Sequence, residues 1–283
     1  MPSTVGRPDR DSHSNASTLP ELKRKQKSPP SGKQSDMPTR DMTAQTETRW
    51  LVMLHGMMGN VSNWNSTRDY FSQTYRVLPV AFPLFEADSP YHNVDTLTDI
   101  VERRMSQRGI RDSVIFGNSM GGQIALQYAI RHPGRVAGLV LTGSAGLLER
   151  GMASQAPLKP SRAWIRDRVR ELFYNDMHVT EELVDEVLDI LSTNRNKLRL
   201  VKLARALREK TMEEELPTIK VPTLLVWGRD DTVTPVEVGQ MFADCMPNAR
   251  LHVLDECGHA PNIEQPDRFN ALAEAFLEEI GYR

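Results

Sequence analysis

Short apolar runs alternate with amphipathic stretches over most of the chain. The runs are rich in β-branched residues and bounded by turn residues, which is typical of buried strands. The stretches between them repeat their apolar residues with the helical period, as Leu97, Ile100, Val101 and Met105 do. The pattern predicts strands at residues 49–55, 75–82, 112–117, 136–142, 222–228 and 250–254.

Helices are predicted between these strands, and this alternation is typical of an open, mainly parallel α/β sheet covered on both faces. We therefore predict an α/β fold with about six strands. Outside the middle of the chain, the helices are expected at residues 61–72, 95–108, 123–132, 237–245 and 267–280.

Residues 146–216 interrupt the alternation with three helical stretches and no clear strand. A helical insertion directly after a strand is expected to form a lid over the carboxyl ends of the strands, where open α/β sheets bind ligands. Trp164, Phe173 and Leu191 are apolar candidates for the inner face of this lid, or for its own packing. The insertion divides the α/β core into residues 49–145 and 217–283.

Residues 1–48 are rich in Ser, Thr, Pro, Lys, Arg and Gln and hold few large apolar side chains. Such a segment buries too little surface to offset the entropy cost of ordering, so we expect a disordered tail. It lacks the apolar core of a secretory signal, and its acidic residues argue against a mitochondrial transit peptide. We therefore expect a cytoplasmic protein. The basic cluster at residues 23–27 is expected to be solvated. A targeting signal or an anion-binding patch is the alternative.

Composition narrows the possible partners. The 283 residues are 39% hydrophobic and carry a net charge of −2, which favours neither nucleic acid nor an anionic membrane as a partner. No apolar run approaches the roughly 20 residues that span a bilayer. The two cysteines, Cys245 and Cys257, do not suggest a disulfide framework.

A serine lies between two glycines where a predicted strand meets a predicted helix, in the run Gly117-Asn118-Ser119-Met120-Gly121-Gly122. A turn this tight strains the serine backbone, and larger side chains at the glycines would collide with neighbouring elements. The turn lifts Ser119 Oγ above the sheet. It also directs the Met120 N–H, at the helix N-terminus, toward the oxyanion that forms when the serine attacks. The motif G-x-S-x-G in this context predicts a nucleophile, with an ordinary glycine-rich turn as the alternative.

A second glycine pair, Gly56 and Gly59, follows His55 at the end of the first strand. A loop with two glycines can turn backbone N–H groups outward. The N–H of Met57 is the best candidate to face that of Met120 across an oxyanion. A plain turn at the end of a strand is the alternative.

A serine hydroxyl needs a base to take its proton and an acid to orient that base. Asp230 and Asp231 follow the strand at residues 222–228, and His259 follows the last strand. The order serine, aspartate, histidine is the one expected of an α/β-hydrolase. The other histidines fit less well. His55 precedes the glycine loop, His132 ends a helix and His252 lies inside a strand.

From about residue 49 to its end, the chain resembles an α/β-hydrolase-fold enzyme. Within that superfamily it is similar to the serine-dependent meta-cleavage product hydrolases, which cleave C–C bonds. The similarity lies in residues 117–122, in Gly228-Arg229-Asp230-Asp231 with Val233 and Pro235, and in Cys257-Gly258-His259. The resemblance implies that Asp231, the second aspartate of its pair, is the acid.

Three positions differ from that subgroup. The resemblance implies a lid arginine for a substrate carboxylate, but Val187 occupies the corresponding position, with Arg195 and Arg199 further along. Ala260 follows the histidine where a tryptophan is common. Residues 81–89 lack the usual D-x-x-G-x-G-x-S loop.

The sequence therefore predicts a serine hydrolase that cleaves a small ester-like substrate through Ser119, His259 and Asp231. Cleavage of a C–C bond is one alternative, and a non-catalytic receptor for a small molecule is another. We expect no cofactor, no metal, and neither a nucleic acid nor a membrane as partner. A dehalogenase or epoxide hydrolase of this fold is disfavoured, because those enzymes use an aspartate at the position of Ser119.

The sheet is expected to lack the antiparallel strand pair that opens full α/β-hydrolases, because residues 1–48 show no suitable apolar run. In the family's strand order, residues 75–82 then become a sheet edge. Pro79 and Pro83 suit an edge, because proline cannot donate to a strand ladder. An open edge can recruit a second copy, so we predict a monomer or a weak homodimer.

Overall fold

A computed structural model of the protein describes residues 49–147 and 160–283. Two predictions, the disordered tail and the missing antiparallel pair, concern residues 1–48 and lie outside the described residues. The division of the chain at residues 146 and 216 also stays a prediction.

Six parallel strands form one sheet in the order β2-β1-β3-β4-β5-β6, which confirms the predicted fold class. The strand order reverses between β1 and β3, so the loops that follow these two strands leave toward opposite faces of the sheet. Open α/β sheets bind their ligands at such a point. In chain order the strands are Trp50–Leu54, Arg76–Val80, Ser113–Asn118, Val136–Thr142, Thr223–Gly228 and Ala249–Leu254.

The helices cover both faces of the sheet. The predicted helix at residues 61–72 is split into a 3-10 turn, Val61–Trp64, and α1, because the Asn60 side chain caps a tight turn by accepting a hydrogen bond from the Ser62 N–H. In chain order, α1 to α9 are Asn65–Phe71, Val94–Ser106, Met120–Arg131, Arg162–Arg170, Glu181–Ile190, Asn194–Glu209, Val236–Cys245, Pro261–Glu264 and Pro266–Glu279. None of the helices in the described part of the chain is long and apolar enough to cross a membrane.

The first strand shows how the sheet is buried. Val52 and Leu54 belong to the apolar cluster on one face, which includes residues of α2, α3 and α7. Leu51 and Met53 belong to the cluster on the other face, with residues of α1 and α9. Alternate residues of a strand point to opposite faces, so a strand covered on both sides is apolar at every position.

Strand β2 lies at an edge of the described sheet, as the sequence predicts. Pro79 lies within it opposite Met53 of β1. At an edge, the missing N–H of proline costs no ladder hydrogen bond on the outer side. Dimerisation through this edge stays a prediction.

Three helices, α4 to α6, lie between β4 and β5 and are called the insertion here. They share an apolar cluster, which packs against Met57, Met58 and Phe85 of the core loops. The Met212 N–H donates to the Gly146 carbonyl oxygen at 2.8 Å and so joins the two ends of the insertion. The buried residues of the cluster are Ile165, Val169, Val184, Val187, Leu191 and Leu200.

Candidate active site

Ser119 lies at the junction of β3 and α3 with φ 54° and ψ −122°. This backbone conformation is strained for any residue with a side chain. Hydrogen bonds hold it in place: the Ser119 N–H donates to Thr142 O at 3.1 Å, and Ser119 O accepts from the Ala145 N–H at 3.0 Å. A Cβ on Gly121 would lie 2.1 Å from Leu54 O. The glycine therefore allows α3 to begin directly against β1.

The loop after β1 adjoins the serine. A Cβ on Gly56 would lie 3.3 Å from Ser119 Cβ, and the Gly59 N–H closes a turn onto Gly56 O at 3.2 Å. Met57, within this turn, and Met120, the first residue of α3, both line the cavity that contains Ser119. The first N–H groups of a helix have no partner within the helix, so that of Met120 is available to a ligand.

His259 and Asp231 form a buried pair. His259 Nδ1 lies 2.9 Å from Asp231 Oδ2. The other carboxylate oxygen, Oδ1, accepts hydrogen bonds from the N–H groups of Val233 and Thr234, both at 2.9 Å. These contacts fix the plane of the carboxylate and leave His259 Nε2 as the ring nitrogen that can face the cavity.

The two neighbouring aspartates have different environments. Asp231 is buried, whereas Asp230 is exposed and accepts a long hydrogen bond, 3.4 Å, from the Cys257 N–H. The structure thus brings Asp231, and not Asp230, to the histidine.

Asn118 and Thr234 also belong to the site, and sequence reasoning missed both roles. Asn118 Nδ2 donates to the carbonyl oxygens of Thr142 and His259, each at 3.2 Å. It thereby ties the residue before the serine to the histidine. Thr234 Oγ1 donates to Asp231 Oδ2 at 2.8 Å. Asn118 lies within the elbow motif, but its partner is 141 positions away along the chain.

His55 holds the loop after β1 in place. Its Nδ1 donates to Gly56 O at 2.8 Å, and its Nε2 accepts a hydrogen bond from the Phe82 N–H at 3.3 Å. Burial lowers the pKa of His55, and the hydrogen bond to Gly56 O raises it by a smaller amount. A neutral ring suits this arrangement, in which one nitrogen donates and the other accepts. Of the other histidines, His252 is exposed and His132 lies 3.9 Å from Glu102.

A cavity of about 420 Å³ lies above Ser119 and His259. Its apolar wall includes Phe173, Leu183, Val187 and Leu207 of the insertion. Trp164 and Leu191, which the sequence offered as inner-face candidates, belong to the insertion's own apolar cluster. Exposed charged side chains also line the cavity, namely Glu182, Glu186 and Arg208.

Arg195 and Arg199 bind backbone instead of lining the cavity. Arg195 donates to Ala87 O at 2.7 Å. Arg199 is buried and donates to the carbonyl oxygens of Glu86 and Ser89. Both arginines attach α6 to the loop that follows β2.

Neither metal-ligand clusters nor disulfides define the described site. No group of three or more His, Cys, Asp or Glu residues within 49–147 and 160–283 is placed to hold a metal ion. Cys245 and Cys257 are both free thiols. Burial, reinforced by the nearby Glu264 carboxylate, raises the pKa of the Cys257 thiol, so that residue is a poor nucleophile.

The chain is similar in sequence to known hydrolases. The sequence profile of the alpha/beta hydrolase family matches residues 51–272. The 2-hydroxy-6-oxo-6-phenylhexa-2,4-dienoate hydrolase of Comamonas testosteroni is 30% identical over 256 residues, which cover 81% of this chain and 87% of that protein. The 2-hydroxy-6-oxononadienedioate/2-hydroxy-6-oxononatrienedioate hydrolase of Burkholderia vietnamiensis is 31% identical over 248 residues, which cover 80% and 86%.

Solved structures show the same relationship. A meta-cleavage product hydrolase from Pseudomonas fluorescens superposes with a TM-score of 0.73 at 27% identity, covering 82% of this chain and 92% of that one. An alpha/beta hydrolase enzyme from a lagoon-sediment metagenome gives a TM-score of 0.66 at 32% identity, with the same coverage, 82% and 92%. These relatives are hydrolases, as the sequence predicts for this chain.

Proposed function

The chain belongs to the alpha/beta hydrolase family, and we propose that it is a serine hydrolase that cleaves a small acyl substrate. One observation carries the proposal: a strained Ser119 shares a cavity with His259, which is paired to a buried Asp231. Each of the three follows a different strand, and nucleophile, base and acid are supplied in this way throughout the fold.

In the proposed mechanism, Ser119 Oγ attacks the substrate carbonyl carbon while His259 Nε2 takes the hydroxyl proton. Asp231 holds the ring and stabilises the imidazolium that forms. The tetrahedral intermediate then expels its leaving group, which takes the proton from His259. Water attacks the resulting acyl-enzyme, with His259 again as base, and releases the acid and the free serine.

The N–H groups of Met57 and Met120 are proposed to bind the oxyanion. Both residues line the cavity beside Ser119, one in the loop after β1 and the other at the start of α3. These amide groups are already oriented before the reaction, so little free energy is spent on reorienting them as negative charge develops on the oxygen. They therefore stabilise the oxyanion effectively.

The insertion is proposed to act as the lid that selects the substrate. It supplies much of the apolar cavity wall, including Phe173, Leu183 and Val187. A cavity of about 420 Å³ suits a small molecule and not a polymer.

Cleavage of a C–C bond in a dienoate is a second candidate, favoured by the named activities of the curated relatives. For this reaction, the same residues must first favour the keto tautomer of the substrate. Val187 cannot pair with a substrate carboxylate. Arg208 lines the same cavity and supplies a cation for that purpose.

Two assays test these proposals. A fluorophosphonate probe should label Ser119 in the purified protein, whereas a non-catalytic receptor should stay unlabelled. Initial rates with p-nitrophenyl esters of graded length and with a 2-hydroxy-6-oxo-dienoate then separate the two reactions. A wild-type protein that neither labels nor turns over any of these substrates would rule out the proposed function.

A further inference from the structure

The connection after α4 lies directly against the loop that carries His259. The His259 N–H donates to Leu172 O at 2.8 Å. A Cβ on Gly258 would lie 2.9 Å from Leu172 O and from Phe173 Cα, so the two backbones leave no room for a side chain. We call this contact, between residues 171–175 and 257–259, the histidine seam.

Glu264, the last residue of the short helix α8, bridges the histidine seam with its carboxylate. Oε1 accepts a hydrogen bond from the Gly258 N–H at 2.7 Å. Oε2 accepts one from the Tyr174 N–H at 2.7 Å and a longer one, 3.4 Å, from the Asn175 N–H. One side chain therefore holds both backbones. Hydrogen bonds to an ionised acceptor are stronger than neutral ones.

We propose that Glu264 is a positioning residue that couples the cavity wall to the general base. Gly258 immediately precedes His259, and Tyr174 immediately follows Phe173. His259 and Phe173 both line the cavity. The carboxylate thus holds the base and the adjoining cavity wall in position together. This inference rests on the proposed function, because it requires His259 to be the base.

Glu264→Gln tests the proposal. An amide presents an N–H on one side, so it cannot accept hydrogen bonds from both backbones. With p-nitrophenyl acetate we expect kcat to fall about tenfold while KM changes less than about twofold, because the lost interaction orients the base in the transition state. Labelling by the fluorophosphonate should slow by a similar factor.

Two matched variants separate positioning from general destabilisation. Glu214→Gln removes an exposed carboxylate from the segment after α6 and should leave both constants unchanged. Thr232→Val removes the hydrogen bond from Thr232 Oγ1 to Glu171 O, 2.9 Å long, on the insertion side of the seam. It should raise KM for longer esters and leave kcat for the acetate within about twofold, because it does not touch Gly258 or His259.

The outcomes are distinct. A folded Glu264→Gln protein with wild-type kcat overturns this inference alone. So does a Thr232→Val protein whose loss of kcat equals that of Glu264→Gln. A wild-type protein without serine labelling or esterase activity overturns the proposed function and this inference with it. If circular dichroism shows Glu264→Gln to be unfolded, Glu264→Asp replaces it. Aspartate keeps the charge but is one methylene too short to span both backbones, so the same loss of kcat is expected.

Discussion

The Thr234 hydroxyl donates a hydrogen bond to Asp231 Oδ2 at 2.8 Å, and the same oxygen lies 2.9 Å from His259 Nδ1. Two backbone N–H groups occupy the other carboxylate oxygen. A buried carboxylate with both oxygens engaged cannot rotate freely, so the direction of the histidine ring is fixed by neighbours that lie within three residues of Asp231.

Thr234→Val removes this hydroxyl with little change of volume. We expect kcat to fall about tenfold to a hundredfold, because the hydroxyl donates to a carboxylate and hydrogen bonds to charged groups are stronger than neutral ones. Thr234→Ser keeps the hydroxyl and serves as the control. Steady-state kinetics with a p-nitrophenyl ester measures the effect. Equal rates for the valine and serine variants would show that the hydroxyl does not orient the acid.

Ser119→Ala should abolish hydrolysis. Without Oγ there is no nucleophile for the acyl-enzyme, and we expect a loss in kcat on the order of 10⁴-fold or more. The melting temperature should not fall, because the change opens no core cavity and the side chain faces the substrate cavity. Retention of most of the activity in a preparation free of other esterases would contradict the mechanism.

Asp231→Asn and Asp230→Asn form a matched pair of neighbouring substitutions. The first should be severe, about 10³-fold or more in kcat, because an amide cannot stabilise the imidazolium. The second should cost less than about tenfold, since Asp230 is exposed and does not contact the histidine. Both are measured as kcat at constant pH. If Asp230→Asn proves the more damaging change, the assignment of the acid is wrong.

Val187→Trp fills part of the cavity from the insertion. We expect kcat/KM to fall about tenfold or more for long-chain esters and to change little for the acetate, because the larger side chain occupies space that a long acyl group needs. Labelling of Ser119 by a small probe should persist. An unchanged dependence on chain length would remove the insertion from substrate selection.

Glu102 should make stability depend on pH in the acid range. Burial opposes its ionisation, but hydrogen bonds from Ser106, Arg135 and Tyr128 outweigh burial and lower its pKa from 4.5 to about 2. A carboxyl with a depressed pKa in the folded state stabilises the protein above its unfolded pKa. That contribution is lost as the pH falls from 4.5 toward 2.

Urea unfolding of wild type and Glu102→Gln at several pH values tests this dependence. The wild type should be the more stable protein near neutral pH, and its advantage should shrink below pH 4.5. Glu214→Gln changes an exposed carboxylate, so its free energy of unfolding should depend on pH in the same way as that of the wild type. A constant difference between wild type and Glu102→Gln across this range would show that the Glu102 contacts do not shift its titration.

The order and type of the strands and helices followed from the local pattern of residues along the chain. The four inner strands β1, β3, β4 and β5 are covered on both faces and are apolar at nearly every position, so they were visible as short apolar runs. The edge strands β2 and β6 were visible from a weaker, partly alternating pattern. The turn at Ser119 was equally visible, because the glycines that its close contacts require lie within three residues of Ser119 in the sequence. Chain order then placed Asp231 and His259 on loops at the same edge of a parallel sheet.

Which distant groups meet at the carboxyl edge of the sheet depends instead on how the whole chain packs. The hydrogen bonds from Asn118 Nδ2 to His259 O and from the Tyr174 N–H to Glu264 Oε2 join positions 141 and 90 residues apart, and no local pattern encodes such pairs. The residues of the insertion that line the cavity could not be predicted from the sequence either. Trp164, Phe173 and Leu191 are similar as apolar residues, yet of the three only Phe173 lines the cavity. Helical periodicity shows which residues are buried, whereas the packing of the helices decides whether they face a neighbour or a substrate.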